Sequence, residues 1–105
     1  MAWVYLFFAG LLEVAWAIGL KASDGFTRPL VSVLTVAAIV ASLGLLGLAV
    51  RELPVGTAYA VWSGIGILGT TAIGVVLLGE SADVVRLASI ALIAVGIVGL
   101  KLSQA

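Results

Sequence analysis

Apolar residues dominate roughly positions 3–20, 30–50, 55–78 and 84–102, and three short polar stretches separate these runs. At about 1.5 Å of rise per residue, each run is long enough to cross a ~30 Å hydrocarbon layer as a helix. The breaks carry turn chemistry: Ser23-Asp24-Gly25, then Arg51-Glu52-Leu53-Pro54, then Gly79-Glu80-Ser81-Ala82-Asp83. The pattern predicts an all-α membrane protein, with one domain of four transmembrane helices covering residues 1–105.

One polar position breaks the first run. Leu6, Ala9, Gly10, Glu13, Trp16, Ala17 and Leu20 share a helical face, so Glu13 has small neighbours beside it. It lies about 15 Å along the span, near the middle of the layer, where an isolated ionisable group costs at least about 2.5 kcal/mol. A chain that tolerates this cost is expected to use the group. Trp3 and Tyr5 suit an interfacial belt, Lys21 favours the helix C-terminus, and Gly25 suits a left-handed cap.

Pro29 fits the first turn of the second run, where Ser32, Thr35 and Ser42 fall on one stripe. These hydroxyls either bond to backbone, or Ser42 donates to a carboxylate on another helix. The third run holds Gly56, Gly64, Gly66, Gly69 and Gly74, with Tyr59, Trp62 and Ser63 inside it. Tyr59, Trp62, Gly66 and Thr70 follow helical spacing, and buried Tyr and Trp face protein or a cavity. Gly64-Ile65-Gly66 suits a hinge; the alternative is that these glycines only permit close packing. In the fourth run Ser89 and Gly96 lie a heptad apart on a smooth, uncharged surface, which predicts a helix–helix contact in lipid. Ser81 or Asp83 is placed to cap that helix.

Composition narrows the function. The chain has 105 residues, 64% hydrophobic and 10% charged, which points to an integral membrane class. Net charge is zero, so nucleic acid is not an expected partner. There is no Cys and no His, which argues against thiol chemistry, metal sites and haem-type cofactors. The N-terminus lacks a basic leader and its apolar run carries Glu13, so the first span is expected to remain in place. Connectors this short leave no room for a phosphate-binding loop or a soluble catalytic domain, and the reading is a non-enzyme.

With four spans, Arg51 and Lys101 face one side and Lys21, Arg28 and Arg86 the other. So even a split does not fix an orientation, and oppositely inserted copies can pair about an axis in the membrane plane. Four thin helices do not wall off a polar site alone, so an antiparallel, dual-topology homodimer is expected.

A carboxylate in hydrocarbon favours its neutral form, and two such groups in one cavity favour it further. An organic cation favours the ionised form. Proton and cation then compete for the same oxygens, and alternating access turns competition into exchange. Carboxylates accept parallel N–H bonds from a planar guanidinium, and Trp16, three residues from Glu13, is placed to stack on it.

Gly10-x-x-Glu13-Val14, Lys21 with Gly25-Phe26-Thr27-Arg28, and Pro54-x-Gly56-Thr57-Ala58-Tyr59-Ala60-Val61-Trp62-Ser63-Gly64-Ile65-Gly66 together resemble the small multidrug resistance family over the whole chain. Trp16 after Glu13-Val14-Ala15, with the Gly99-Leu100-Lys101 ending, looks like its guanidinium-exporting subtype. The resemblance implies an antiparallel homodimer in a bacterial inner membrane that exchanges guanidinium for protons at Glu13. It further implies that Trp16, Ser42, Tyr59 and Trp62 surround that acid with Gly10 beside it, that Gly64 and Gly66 form a hinge, and that span four makes the dimer contact. The family pattern often has Gly where Ser89 stands; Ser is still small.

Two other readings stay open. One keeps the fold and exports hydrophobic quaternary ammonium ions, which a bulky Trp16 ring should crowd out. The other is a non-transporting membrane subunit or proton-relay partner.

Overall fold

The computed structural model describes residues 1–103 and has four helices: α1 (Ala2–Ala22), α2 (Pro29–Ala49), α3 (Val55–Leu77) and α4 (Val84–Ser103). Each is long and apolar enough to cross a membrane, and the described residues contain no strand. The ends follow local chemistry. Pro29 begins α2, where its missing N–H and fixed φ suit a first helical turn. Asp83 caps α4 by accepting the Arg86 backbone N–H at 2.8 Å. That bond, with the Ser81 hydroxyl donating at 3.2 Å, holds the Asp83 carboxyl below its ordinary value. Arg86 also pairs with Glu80 at 2.7 Å, closing the α3–α4 connector over the end of α3.

The α1–α2 turn takes Asp24, Gly25 and Phe26 through φ of 51°, 71° and 67°. Left-handed backbone is natural for glycine and uncommon for phenylalanine. Ser23 organises it: its hydroxyl donates to the Leu20 carbonyl at 2.9 Å and accepts the Phe26 N–H at 3.1 Å.

α1 is the central helix, packed between α2 and α3, while α4 lies on the outer side of α3. The Cα trace measures 44 × 35 × 16 Å. A helix's Cα cylinder is about 4.6 Å across and packed helix axes lie about 8–10 Å apart, so the protomer is a slab about two helices thick. Its core gathers Leu6, Ala9, Ala49, Ala58, Val61 and Trp62 where α1, α2 and α3 meet. α4 has no buried residue, and large apolar side chains on α2 and α4 face outward.

α1 and α3 run side by side in the same direction, and bare backbone fixes their register. A Cβ at Gly10 would strike the Ile65 side chain, one at Gly66 the Glu13 carboxylate, and one at Gly69 the Val14 side chain. One step further along, Ala17 and Thr70 line the same cleft.

Candidate functional site

Glu13 stands in the middle of α1 and opens on a cleft of about 250 Å³, lined also by Ala17, Gly66, Ile67, Thr70 and Thr71. One wall is α3 backbone, because Gly66 has no side chain to hold the carboxylate away. The Glu13 Oε2 atom is buried and has no hydrogen-bond partner within the protomer. The Trp16 indole Nε1 and the Thr70 hydroxyl are in the same condition. Glu13 and Thr70 thus offer two unpaired acceptor oxygens to the cleft, whereas the Trp16 N–H is an unpaired donor on a ring that packs against the core and does not line the cleft.

Below the acid, α2 and α3 are tied to α1 by a short chain of bonds. The Ser42 hydroxyl donates to the Ala9 carbonyl at 2.7 Å and accepts the Trp62 Nε1–H at 3.0 Å. Ser42 therefore bonds to backbone, not to a carboxylate. Ala9 lies four residues before Glu13, so its carbonyl is the one that accepts the Glu13 amide in an α-helix. The Ser42–Trp62 pair thus anchors the turn from which the acid projects. Ser42 and Trp62 are buried, whereas Tyr59, whose ring meets Trp62 edge-on at 5.5 Å, is 59% exposed and faces out of the protomer.

The remaining predicted residues fall in three places. Gly10 is buried where Ile65 crosses α1. Gly64 and Gly66 lie within unbroken α3 and face different neighbours: Gly66 meets Glu13, while a Cβ at Gly64 would come within 2.5 Å of the Ile97 Cδ1 of α4. Ser89 and Gly96 sit on the open face of α4; Ser89 bonds its own Val85 carbonyl at 2.8 Å, and nothing lies within 4 Å of a Cβ built at Gly96. Sequence reasoning kept Thr70 on the α3 stripe and Ala17 on the Glu13 face without joining them. The glycines at 66 and 69 were the available signal, since each marks a point where α1 touches α3 backbone.

Four membrane-length helices with minimal loops and one half-buried acid at mid-span define a small multi-pass membrane protein with an intramembrane carboxylate. The model of the Small Multidrug Resistance protein family matches residues 1–93, and the chain belongs to that family. It is 60% identical over 103 residues to a guanidinium exporter of Escherichia coli (strain K12), covering 98% of each chain. It is 58% identical over 103 residues to one of Salmonella typhimurium, again 98% of each. A guanidinium exporter of Proteus vulgaris is 52% identical over 104 residues, 99% of this chain and 100% of the relative. Membership and the four spans make this a multi-pass protein of the bacterial inner membrane.

Proposed function

We propose that this protein exports guanidinium ion, and small substituted guanidines, in exchange for protons that compete for Glu13. The observation that carries the reading is the unpartnered Glu13 carboxylate oxygen in its cleft. The names of relatives matched over nearly the whole chain support the substrate. Hydrocarbon around the site favours the protonated acid; a cation entering the cleft favours the ionised one, so each expels the other. Guanidinium offers parallel N–H donors to the carboxylate, and in this reading Trp16, three residues along α1 from Glu13, stacks on its plane.

The working unit in this proposal is an antiparallel homodimer inserted in both orientations. The Glu13 cleft of the single protomer is open at its surface. Tyr59 faces away from its own core, and the α4 face bearing Ser89 and Gly96 is uncovered. A second copy turned about an axis in the membrane plane covers both and brings two Glu13 side chains into one cavity. Alternating access then requires α3 to flex, and Gly64 with Gly66 supplies the pivot.

The test is transport by purified protein in liposomes. A guanidinium gradient should drive proton movement in the parent and none in Glu13→Gln. Equal exchange by Glu13→Gln would refute the mechanism. Equal transport of guanidinium and a bulky aromatic cation would shift the substrate class towards quaternary ammonium ions.

A further inference from the structure

We propose that Thr70 is a substrate-positioning residue of the Glu13 cleft, whose hydroxyl oxygen accepts an N–H from the bound cation while the carboxylate accepts others. The inference rests on the transport reading above and names a second acceptor for the same ligand.

Thr70 carries the one buried hydroxyl oxygen without a partner among the described residues, whereas four other helical hydroxyls bond within the protein. Ser32, Thr35 and Ser89 each donate to the carbonyl four residues back, at 2.7, 2.7 and 2.8 Å. Ser42 bonds to Ala9. Thr70 has the Gly66 carbonyl four residues behind it and makes no such bond; its oxygen is buried and unpartnered. An oxygen left this way in a low-dielectric region costs free energy until a donor reaches it. In a cleft that opens and closes, water can fill that role only while the cleft is open, and a bound ligand fills it once water is displaced.

Its position suits the ligand. Thr70 lines the same cleft as Glu13 and lies one helical turn beyond Gly66, against which the carboxylate rests. One turn is about 5.4 Å, the reach of a small planar cation with N–H···O bonds of about 2.9 Å on two of its edges. The carboxylate provides charge and the hydroxyl provides direction, so the pair fixes the cation plane where a lone carboxylate would let it swing. A proton on Glu13 needs no such second contact. Thr70 therefore discriminates between the two competitors, tightening guanidinium binding without altering proton binding.

The experiment compares the parent, Thr70→Val and Thr70→Ser in liposomes and in detergent. Guanidinium KM is read from uptake, and the proton-binding midpoint from pH titration of the guanidinium-free protein. Thr70→Val should raise KM about tenfold, Thr70→Ser should return it to about twice the parent value, and the proton midpoint should stay put in both. Where Thr70→Val fails to insert, Thr70→Ala removes the same oxygen and carries the same expectation. An unchanged KM overturns the proposal. So does a loss of dimer cross-linking with an unchanged ratio of guanidinium to proton affinity, which would make Thr70 a contact between copies. A parent protein that moves no guanidinium removes the transport reading itself, and that result is separable because it precedes any variant.

Discussion

The Glu13 carboxylate rests on the bare backbone of Gly66, so that a Cβ built there would fall among its Cγ, Cδ and Oε1 atoms. This contact explains how an ionisable side chain fits at the α1–α3 crossing, and it makes Gly66 part of the candidate site even though it has no functional group. Gly66→Ala must displace the carboxylate or part the helices, and overpacking of this kind costs about 1–3 kcal/mol. Guanidinium uptake by Gly66→Ala in liposomes should fall about tenfold or more while membrane insertion persists. Parent-level uptake would show that the cleft is looser than this contact requires.

Ser42 is the link between three helices, and its removal leaves the Trp62 indole without an acceptor. Ser42→Ala should destabilise the protein by about 1–3 kcal/mol, read as denaturant unfolding in detergent. Trp62→Phe removes the same bond from the other side. The two substitutions should therefore be less than additive in a double-mutant cycle, by about 0.6 kcal/mol or more. Strict additivity would mean that the bond contributes nothing.

The Asp83 cap gives a pH signature outside the membrane. Its carboxyl is held low, first by the Arg86 backbone N–H and next by the Ser81 hydroxyl. A group depressed in the folded state stabilises fully above its unfolded value, about 3.9, and loses that contribution as pH falls through the folded value. The melting temperature of Asp83→Ala should lie below the parent's by a constant margin between about pH 5 and pH 8. The margin should shrink as the parent's Asp83 is protonated below about pH 4. A margin that persists unchanged into strong acid would assign the effect to something other than the ionised cap.

The outer helix gives a prediction about assembly. α4 has no buried residue, and a Cβ at Gly96 meets nothing within 4 Å of its own protomer. Gly96→Val should leave the single chain folded and lower the cross-linked dimer fraction severalfold, with transport falling in parallel. An unchanged dimer fraction would place the contact on another face.

The four helices were legible because burial in lipid forces long, nearly uninterrupted apolar runs. Their ends moved by only one or two residues: span one begins at Ala2 and ends at Ala22, and span two stops at Ala49 where Val50 turns. Glu13 was legible for the complementary reason, since an acid in such a run stands out. Residues that act through other helices were harder to read. Ser42 sits on a clear polar stripe, but only the α1–α2 packing reveals that its acceptor is the Ala9 carbonyl. Thr70 has the same difficulty, because its relation to Glu13 depends on the register of α1 on α3. The two central glycines form one motif in the chain yet serve different contacts, because positions two apart on a helix point nearly opposite ways: Gly64 to Ile97 and Gly66 to Glu13.

The central claim is that proton and guanidinium exclude each other at Glu13, and it is tested most directly by counting protons. Guanidinium added to the detergent-purified, weakly buffered protein should release protons in mildly acidic solution. The release should dwindle as rising pH empties the site beforehand, and it should be absent in Glu13→Gln. Saturable guanidinium binding with no proton release at any pH would contradict the account.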